Sequence, residues 1–194
     1  MIEGFTFKVA SEPERRLALN LRRQVYRTEL GHDGIDSFDD RAYHLIACTA
    51  NGDVVASLRI VGPESRPFDL ESVAPLIDLL GPSRRLGEIS RFCIKPDLRH
   101  LTKGQSIHLG MFKLAYEFAL RHSLTDFVTL ALPHLSRLYS MALFRPLMAE
   151  IKHPTWGPVQ LMHLDLMRLA DNRSSSADRM ARFLLGPTPS NFTI

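Results

Sequence analysis

Cysteine is scarce in this chain. Only Cys48 and Cys93 occur in 194 residues, each inside an apolar run, so buried free thiols are expected rather than a disulfide scaffold or a thiolate metal site. Long hydrophobic runs are missing too: no stretch approaches the roughly 20 apolar residues of a membrane-spanning helix. The start, MIEGFTFKVASEPERR, lacks the basic-then-apolar order of a signal peptide, which gives a cytoplasmic expectation. Charge of one sign is also in short supply. The balance of 24 basic against 21 acidic residues leaves +3, without a long basic tract, so no nucleic-acid partner is expected. The late basic residues Arg168, Arg173, Arg179 and Arg182 read as a solvated face. His44, His100, His108, His122, His134, His153 and His163 show no recurring ligand spacing, hence no metal site. The single tryptophan, Trp156, stands beside Gly157-Pro158 and reads as a packed turn. No internal repeat is visible, and low complexity is confined to Ser174–Ser176.

What is present is ordinary globular material, 45% hydrophobic and 23% charged, enough for one domain with a core over 1–170 and a tail over 171–194. In that tail a short docked helix is expected at Met180–Leu185, followed by a mobile end. Phe5, Phe7 and Val9 alternate as a first strand. Ser11, Pro13 and Glu14 open a helix over 12–30 that Gly31 closes, with Leu17, Leu21 and Val25 as its buried stripe. Strands over 43–49 and 54–61 flank Asn51-Gly52, a type I′ hairpin dipeptide. A helix is expected over 70–80, a strand over 86–94 and an amphipathic helix over 106–122, whose buried face is Ile107, Met111, Leu114, Ala115 and Phe118. A strand over 126–132, a helix from Pro133 to about Phe144 and a closing hairpin over 148–152 and 159–166 complete the order.

The strand LGEISRFCIKP draws attention because Glu88 and Arg91 interrupt a core-like run. Residues three apart on a regular strand point to opposite faces, so a shared site would require a bulge between them. Other charges join them. Arg22 and Tyr26 lie four apart on one edge of the first helix; Asp36 and Asp39 flank Phe38 in a glycine-containing loop; Arg59 sits near the end of its strand. Arg22, Arg59 and Arg91 balance Asp36, Asp39 and Glu88, which permits either a closed ion-pair network or an acceptor-binding set. After the strand comes a basic loop and then a helix, so Arg99 and Lys103 beside the helix start form a candidate phosphate seat.

This element order resembles the GNAT acyltransferase fold, a mixed, mostly antiparallel α/β sheet with a bulged fourth strand and flanking helices. Within it, the charged residues resemble those of the acyl-homoserine lactone (autoinducer) synthases and the N-acyl amino acid synthases. The likeness rests on Arg22 and Tyr26, on Asp36-Ser37-Phe38-Asp39, on Arg59, and on Glu88-Ile89-Ser90-Arg91-Phe92. His32 departs from the lactone synthases, which carry a tryptophan there. Tyr139-Ser-Met-Ala-Leu-Phe144 is similar to the Tyr-x-x-x-Gly-Phe ending of the fold, with Leu143 in the glycine's place, and Arg99-His-Leu-Thr-Lys-Gly104 is a degenerate pyrophosphate loop.

The resemblance implies an N-acyltransferase that moves an acyl group, of the fatty class, from an acyl-CoA or acyl-carrier-protein thioester to the amine of a small amino-acid-derived acceptor. An ammonium cannot attack a thioester until it loses a proton, and Glu88 is the candidate base. Tyr139, by resemblance, is the candidate acid for the departing thiolate. Arg22, Tyr26, Asp36, Asp39, Arg59, Arg91 and Phe92 are candidate acceptor-binding residues, with Arg59 or Arg22 expected to be left without an internal partner to grip an acceptor carboxylate. Ile94, Arg99, Lys103 and Gly104 are candidate donor-binding residues. The acyl carrier protein is a candidate partner. Two alternatives remain: a lactone synthase using S-adenosylmethionine, and a non-catalytic module that binds an acyl carrier.

Overall fold

The computed structural model describes residues 4–99, 102–171 and 179–194, without the side chains of 102–106, 149 and 171. His100, Arg173 and Ser174–Ser176 lie outside the described residues, as does the side chain of Lys103. The chain divides into two compact units, one made of Met1–Ile60, Ser90–Phe118 and Pro187–Ile194, the other of Val61–Ile89 and Ala119–Gly186.

The first unit holds β1 (Phe5–Val9), α1 (Glu12–Leu30), β2 (Tyr43–Thr49) and all but the last residue of β3 (Val54–Val61). Glu14 accepts the Ser11 N–H at 3.0 Å, and Gly31 stops α1 in the left-handed region at φ 76, as the capping pattern predicts. The buried stripe differs. It consists of Ala18, Leu21, Arg22 and Val25, while Leu17 is 49% exposed. Spacing by four advances about 40° beyond a full turn, so 17, 21 and 25 drift around the helix, whereas 18, 21, 22 and 25 keep to one face.

β1 pairs antiparallel with β2, and β2 with β3. The β2–β3 turn is not type I′. Thr49 O accepts the Gly52 N–H at 3.0 Å and Thr49 N–H donates to Asp53 O at 3.0 Å, so the loop has three residues, with Gly52 alone at positive φ (86). A bulge between Ala47 and Cys48 then restores the register that sets His44 opposite Arg59. The chain's end, for which a mobile segment was expected, instead forms β8 (Phe192–Thr193), parallel to β1. Phe192 stacks on Phe7 at 4.7 Å between centroids, and Asn191 Nδ2 donates to Phe5 O at 2.7 Å.

The strand β4 (Leu86–Ile94) contributes Ser90–Ile94 to the first unit and Leu86–Ile89 to the second. It is irregular, as a shared role for its charges would require: Arg91 is a non-glycine residue at φ 55. The helix α3 (Thr102–Arg121) begins four residues earlier than periodicity suggests, so Lys103 and Gly104 belong to its first turn, not to a preceding loop. Ile107, Met111, Leu114, Ala115 and Phe118 are all buried, as expected. Gly110 lets α3 approach β1, for a Cβ there would lie 2.1 Å from the Phe7 ring.

In the second unit the strand order is β6 (Arg145–His153), β7 (Gly157–Asp165), β5 (Asp126–Ala131), β4. β5 runs parallel to β4 and antiparallel to β7. The helix expected over 70–80 is broken into a 3-10 turn at Asp69–Ser72 and a short α2 (Leu76–Leu80), because Pro75 lacks an N–H and disfavours helical backbone at Ala74. Likewise a 3-10 turn, Pro133–Leu135, precedes α4 (Ser136–Met141). After β7 come α5 (Leu166–Asp171) and α6 (Arg179–Leu185), the latter burying Ala181, Leu184 and Leu185. The protein is therefore mixed α/β, with mostly antiparallel strands and flanking helices.

Candidate active site

Five of the predicted charges meet in the first unit. Arg22, projecting from α1, donates from a terminal nitrogen to Asp39 Oδ1 at 2.5 Å. Arg59, from β3, donates to Asp36 Oδ1 at 2.6 Å and lies 3.4 Å from Asp39 Oδ1. Arg91, from β4, donates to Asp36 Oδ2 at 2.5 Å. The result is a continuous chain, Arg22–Asp39–Arg59–Asp36–Arg91, graded in exposure: the Arg22 and Arg59 side chains are fully buried, Asp39 nearly so, Arg91 is 11% exposed and Asp36 26%.

The loop between α1 and β2 is folded to present both carboxylates. Asp36 caps the 3-10 turn Ser37–Arg41 by accepting the Phe38 N–H at 2.9 Å. Asp39 returns the bond, accepting the Asp36 N–H through Oδ2 at 3.0 Å, so the two acids fix each other's backbone. Phe38 pins the loop: the Arg41 and Arg59 guanidinium groups lie 4.4 and 5.6 Å from its ring centre. Burial opposes ionisation of Asp36, but Arg59 and Arg91 outweigh it and hold its carboxyl below the usual range. Asp39 is in the same position: burial raises it, and Arg22 and Arg59 bring it below the ordinary value.

His44, which is not among the site residues expected from the sequence, completes the interior of this network. Arg22 donates to its Nδ1 at 3.2 Å, and its Nε2 lies 3.1 Å from the Asp39 carbonyl oxygen. Both contacts are satisfied by a neutral ring protonated on Nε2. Burial, then the Arg22 charge, push its pKa down to about 4. The signal was available in the hairpin register, which sets His44 opposite Arg59.

One expectation is corrected here. Neither Arg22 nor Arg59 is held in reserve for an acceptor carboxylate, because Asp39 and Asp36 engage them inside the fold. Buried guanidinium groups are costly unless paired and hydrogen-bonded, so interior aspartates claim them first. Arg59 Nε also donates to Ser90 Oγ at 3.0 Å. Arg99, expected at a phosphate seat, donates to Ile94 O at 2.8 Å and pairs with Glu29 at 2.7 Å. Phe92 packs edge-on against Phe112 and His108, with centroids 5.7 and 5.5 Å away, and Ile94 is buried. Tyr26 meets the edge of His32 at 5.6 Å.

Glu88 and Tyr139 belong to the second unit. Glu88 is 2% exposed and accepts the Leu70 N–H through Oε2 at 3.3 Å. Tyr139, on α4, is 3% exposed with its ring edge-on to Phe144 at 5.4 Å. Burial pushes its hydroxyl up to about 12, against the pull of a hydrogen bond with Thr129. Leu143, standing where the resembled motif has glycine, adopts φ 71, which explains why glycine suits that position. No group of three or more His, Cys, Asp or Glu side chains suited to a metal occurs among the described residues, and among them no helix is long and apolar enough to cross a membrane.

Comparison with solved structures confirms the fold. The N-acyl amino acid synthase FeeM from uncultured soil microbes superposes with a TM-score of 0.75 at 16% identity, covering 89% of this chain and 94% of that one. The CoA-dependent acyl-homoserine lactone synthase BjaI, solved with MTA, gives 0.70 at 20% identity over 95% and 92%. A putative N-acetyltransferase from Lactobacillus plantarum gives 0.63 at 18% identity over 84% and 99%. No curated protein sequence matches significantly. The sequence pattern of the family described as N-acyl amino acid synthase FeeM matches residues 18–165, a span that includes α1 from Ala18 onward, the paired aspartates, Arg59, β4 and Tyr139. The chain is an acyltransferase and belongs to the FeeM N-acyl amino acid synthase family.

Proposed function

We propose that the protein transfers a fatty acyl group from an acyl-CoA or acyl-carrier-protein thioester to the amine of a small amino-acid-derived acceptor. The observation that carries this reading is the family match over 18–165, which contains every charged residue of the network and Glu88. Glu88 removes the proton from the acceptor's ammonium; the freed amine attacks the thioester carbonyl, the tetrahedral intermediate collapses to the amide, and the thiol leaves. The acceptor meets the exposed Asp36–Arg91 end of the network, since the Arg22–Asp39 end is closed to solvent. Phe92 belongs to this acceptor site. Ile94, Arg99, Lys103 and Gly104 serve the donor side.

Tyr139 acts on the departing sulfur as a hydrogen-bond donor rather than by full proton transfer. A phenol at about 12 facing a thiol of ordinary pKa, about 8.5, would transfer its proton uphill by about 5 kcal/mol. A second reading, lactone synthesis from S-adenosylmethionine, is favoured by the likeness to BjaI, solved with SAM and isopentyl-CoA.

Mass spectrometry of lipids from a host expressing the wild type, beside the same host expressing Glu88→Gln, tests the proposal. An acylated amine present only with the wild type supports it and identifies both substrates. An equal yield from Glu88→Gln removes the base assignment, and an acyl lactone accompanied by methylthioadenosine establishes the second reading instead.

A further inference from the structure

Tyr26 is confined by two residues of the loop that follows α1. Gly34, buried at φ 65, lies so close that a Cβ would sit 2.4 Å from Tyr26 Cδ1, 2.8 Å from Cγ and 3.0 Å from Cε1. These atoms are the root of the ring, which cannot swing aside without changing the side chain's torsions. His32 stands edge-on to the same ring, with 81° between the planes. Its own orientation is set by the Gly34 N–H, which donates to His32 Nδ1 at 3.0 Å. In the neutral ring that bond leaves the proton on Nε2. Asp33, between them, is tied back to the last turn of α1 through both Arg27 nitrogens, Nε and Nη2.

Two residues beyond Gly34 the loop delivers Asp36 to Arg59 and Arg91. One short segment therefore fixes a phenol-bearing ring and the carboxylate at the open end of the network. Left-handed backbone explains a glycine at 34 only in part, because asparagine tolerates it as well; the ring contact excludes any Cβ. We propose that Gly34 and His32 are positioning residues for the acceptor site, acting through Tyr26. This rests on the acceptor-binding role that the sequence resemblance implies for Tyr26 within the proposed function. A misplacement of about 1 Å in a substrate-positioning group can cost on the order of a hundredfold in kcat/KM, so the displacement that a methyl at 34 demands is enough to be read kinetically.

The test is steady-state kinetics with decanoyl-CoA and whichever proteinogenic amino acid the wild type acylates fastest, the product being measured by mass spectrometry. Gly34→Ala is expected to raise the acceptor KM by about tenfold or more while kcat and the donor KM stay within about twofold. The double variant Gly34→Ala/Tyr26→Ala is expected to be no worse than Tyr26→Ala alone. His32→Ala should raise the acceptor KM, and His32→Asn, whose side-chain oxygen can accept the Gly34 N–H, should restore much of it. Additive losses in the double variant would show that Gly34 acts on folding alone and overturn the proposal. So would an unchanged acceptor KM in Gly34→Ala and His32→Ala when Tyr26→Ala raises it. If Tyr26→Ala itself leaves the acceptor KM unchanged, the placement of Tyr26 in the site fails first.

Discussion

Acidification should weaken this protein through His44 before Asp36 and Asp39 titrate. The ring is held neutral between an Arg22 nitrogen at Nδ1 and the Asp39 carbonyl at Nε2, and a second proton would turn Nδ1 into a donor facing a guanidinium. Its pKa is about 4 in the folded protein against about 6.5 in an unfolded chain. Below 6.5 the unfolded state takes up a proton that the folded state refuses. Stability therefore falls as pH falls, and the loss is complete near the folded value. Between pH 7 and pH 5 the linkage integral for this one group is about 2 kcal/mol. Asp36 and Asp39 contribute in the same direction only at lower pH, since their folded values lie below the usual range. His32, lowered by burial and by Arg91, titrates alike in wild type and variant and cancels in the comparison. Urea unfolding of the wild type and of His44→Gln at pH 7 and pH 5 measures the effect. The stability gap between the two should narrow by about 2 kcal/mol at pH 5, because glutamine does not titrate. Parallel behaviour of the two proteins across this range would refute the claim that His44 is kept neutral by its partners.

Asp39→Asn leaves the Arg22 guanidinium in the interior without its charge partner and should destabilise by about 3–5 kcal/mol, read as a thermal midpoint lowered by roughly 10 °C; the double variant Arg22→Met/Asp39→Leu should recover part of that loss. A wild-type midpoint in Asp39→Asn would mean that the network contributes nothing to the fold. Gly110→Ala puts a methyl 2.1 Å from the Phe7 ring and should cost about 1–3 kcal/mol by overpacking, less in a Phe7→Leu background, as denaturant titration of the single and double variants would show.

Local rules were enough for much of the chain. Helix α1 ends where Ser11 and Gly31 say it should, and the buried face of α3 follows from periodicity, because capping and amphipathicity act within a few residues. An irregular β4 was expected only on condition that Glu88 and Arg91 serve one site, and Arg91 at φ 55 does break the regular strand backbone. The length of the β2–β3 loop was not, because Asn51-Gly52 fits both two- and three-residue turns and only the cross-strand register chooses between them. The break at Pro75 is signalled by the proline itself, which has no N–H to give a continuing helix.

The sequence by itself singled out Arg22, Asp36, Asp39, Arg59 and Arg91, which meet in the first unit, together with Glu88, which accepts the Leu70 N–H in the second. Which charge takes which partner was decided only by the tertiary structure. Burial depth is a property of the packed protein: Arg22 and Arg59 lie where solvent cannot reach, so they must be satisfied by Asp39, Asp36 and a neutral His44, and the network opens to solvent only at Asp36 and Arg91. The stacking of Phe192 on Phe7 has the same origin, since nothing local in GPTPSNFTI specifies a strand. It forms because β1 offers an edge and an aromatic face 185 residues earlier in the chain.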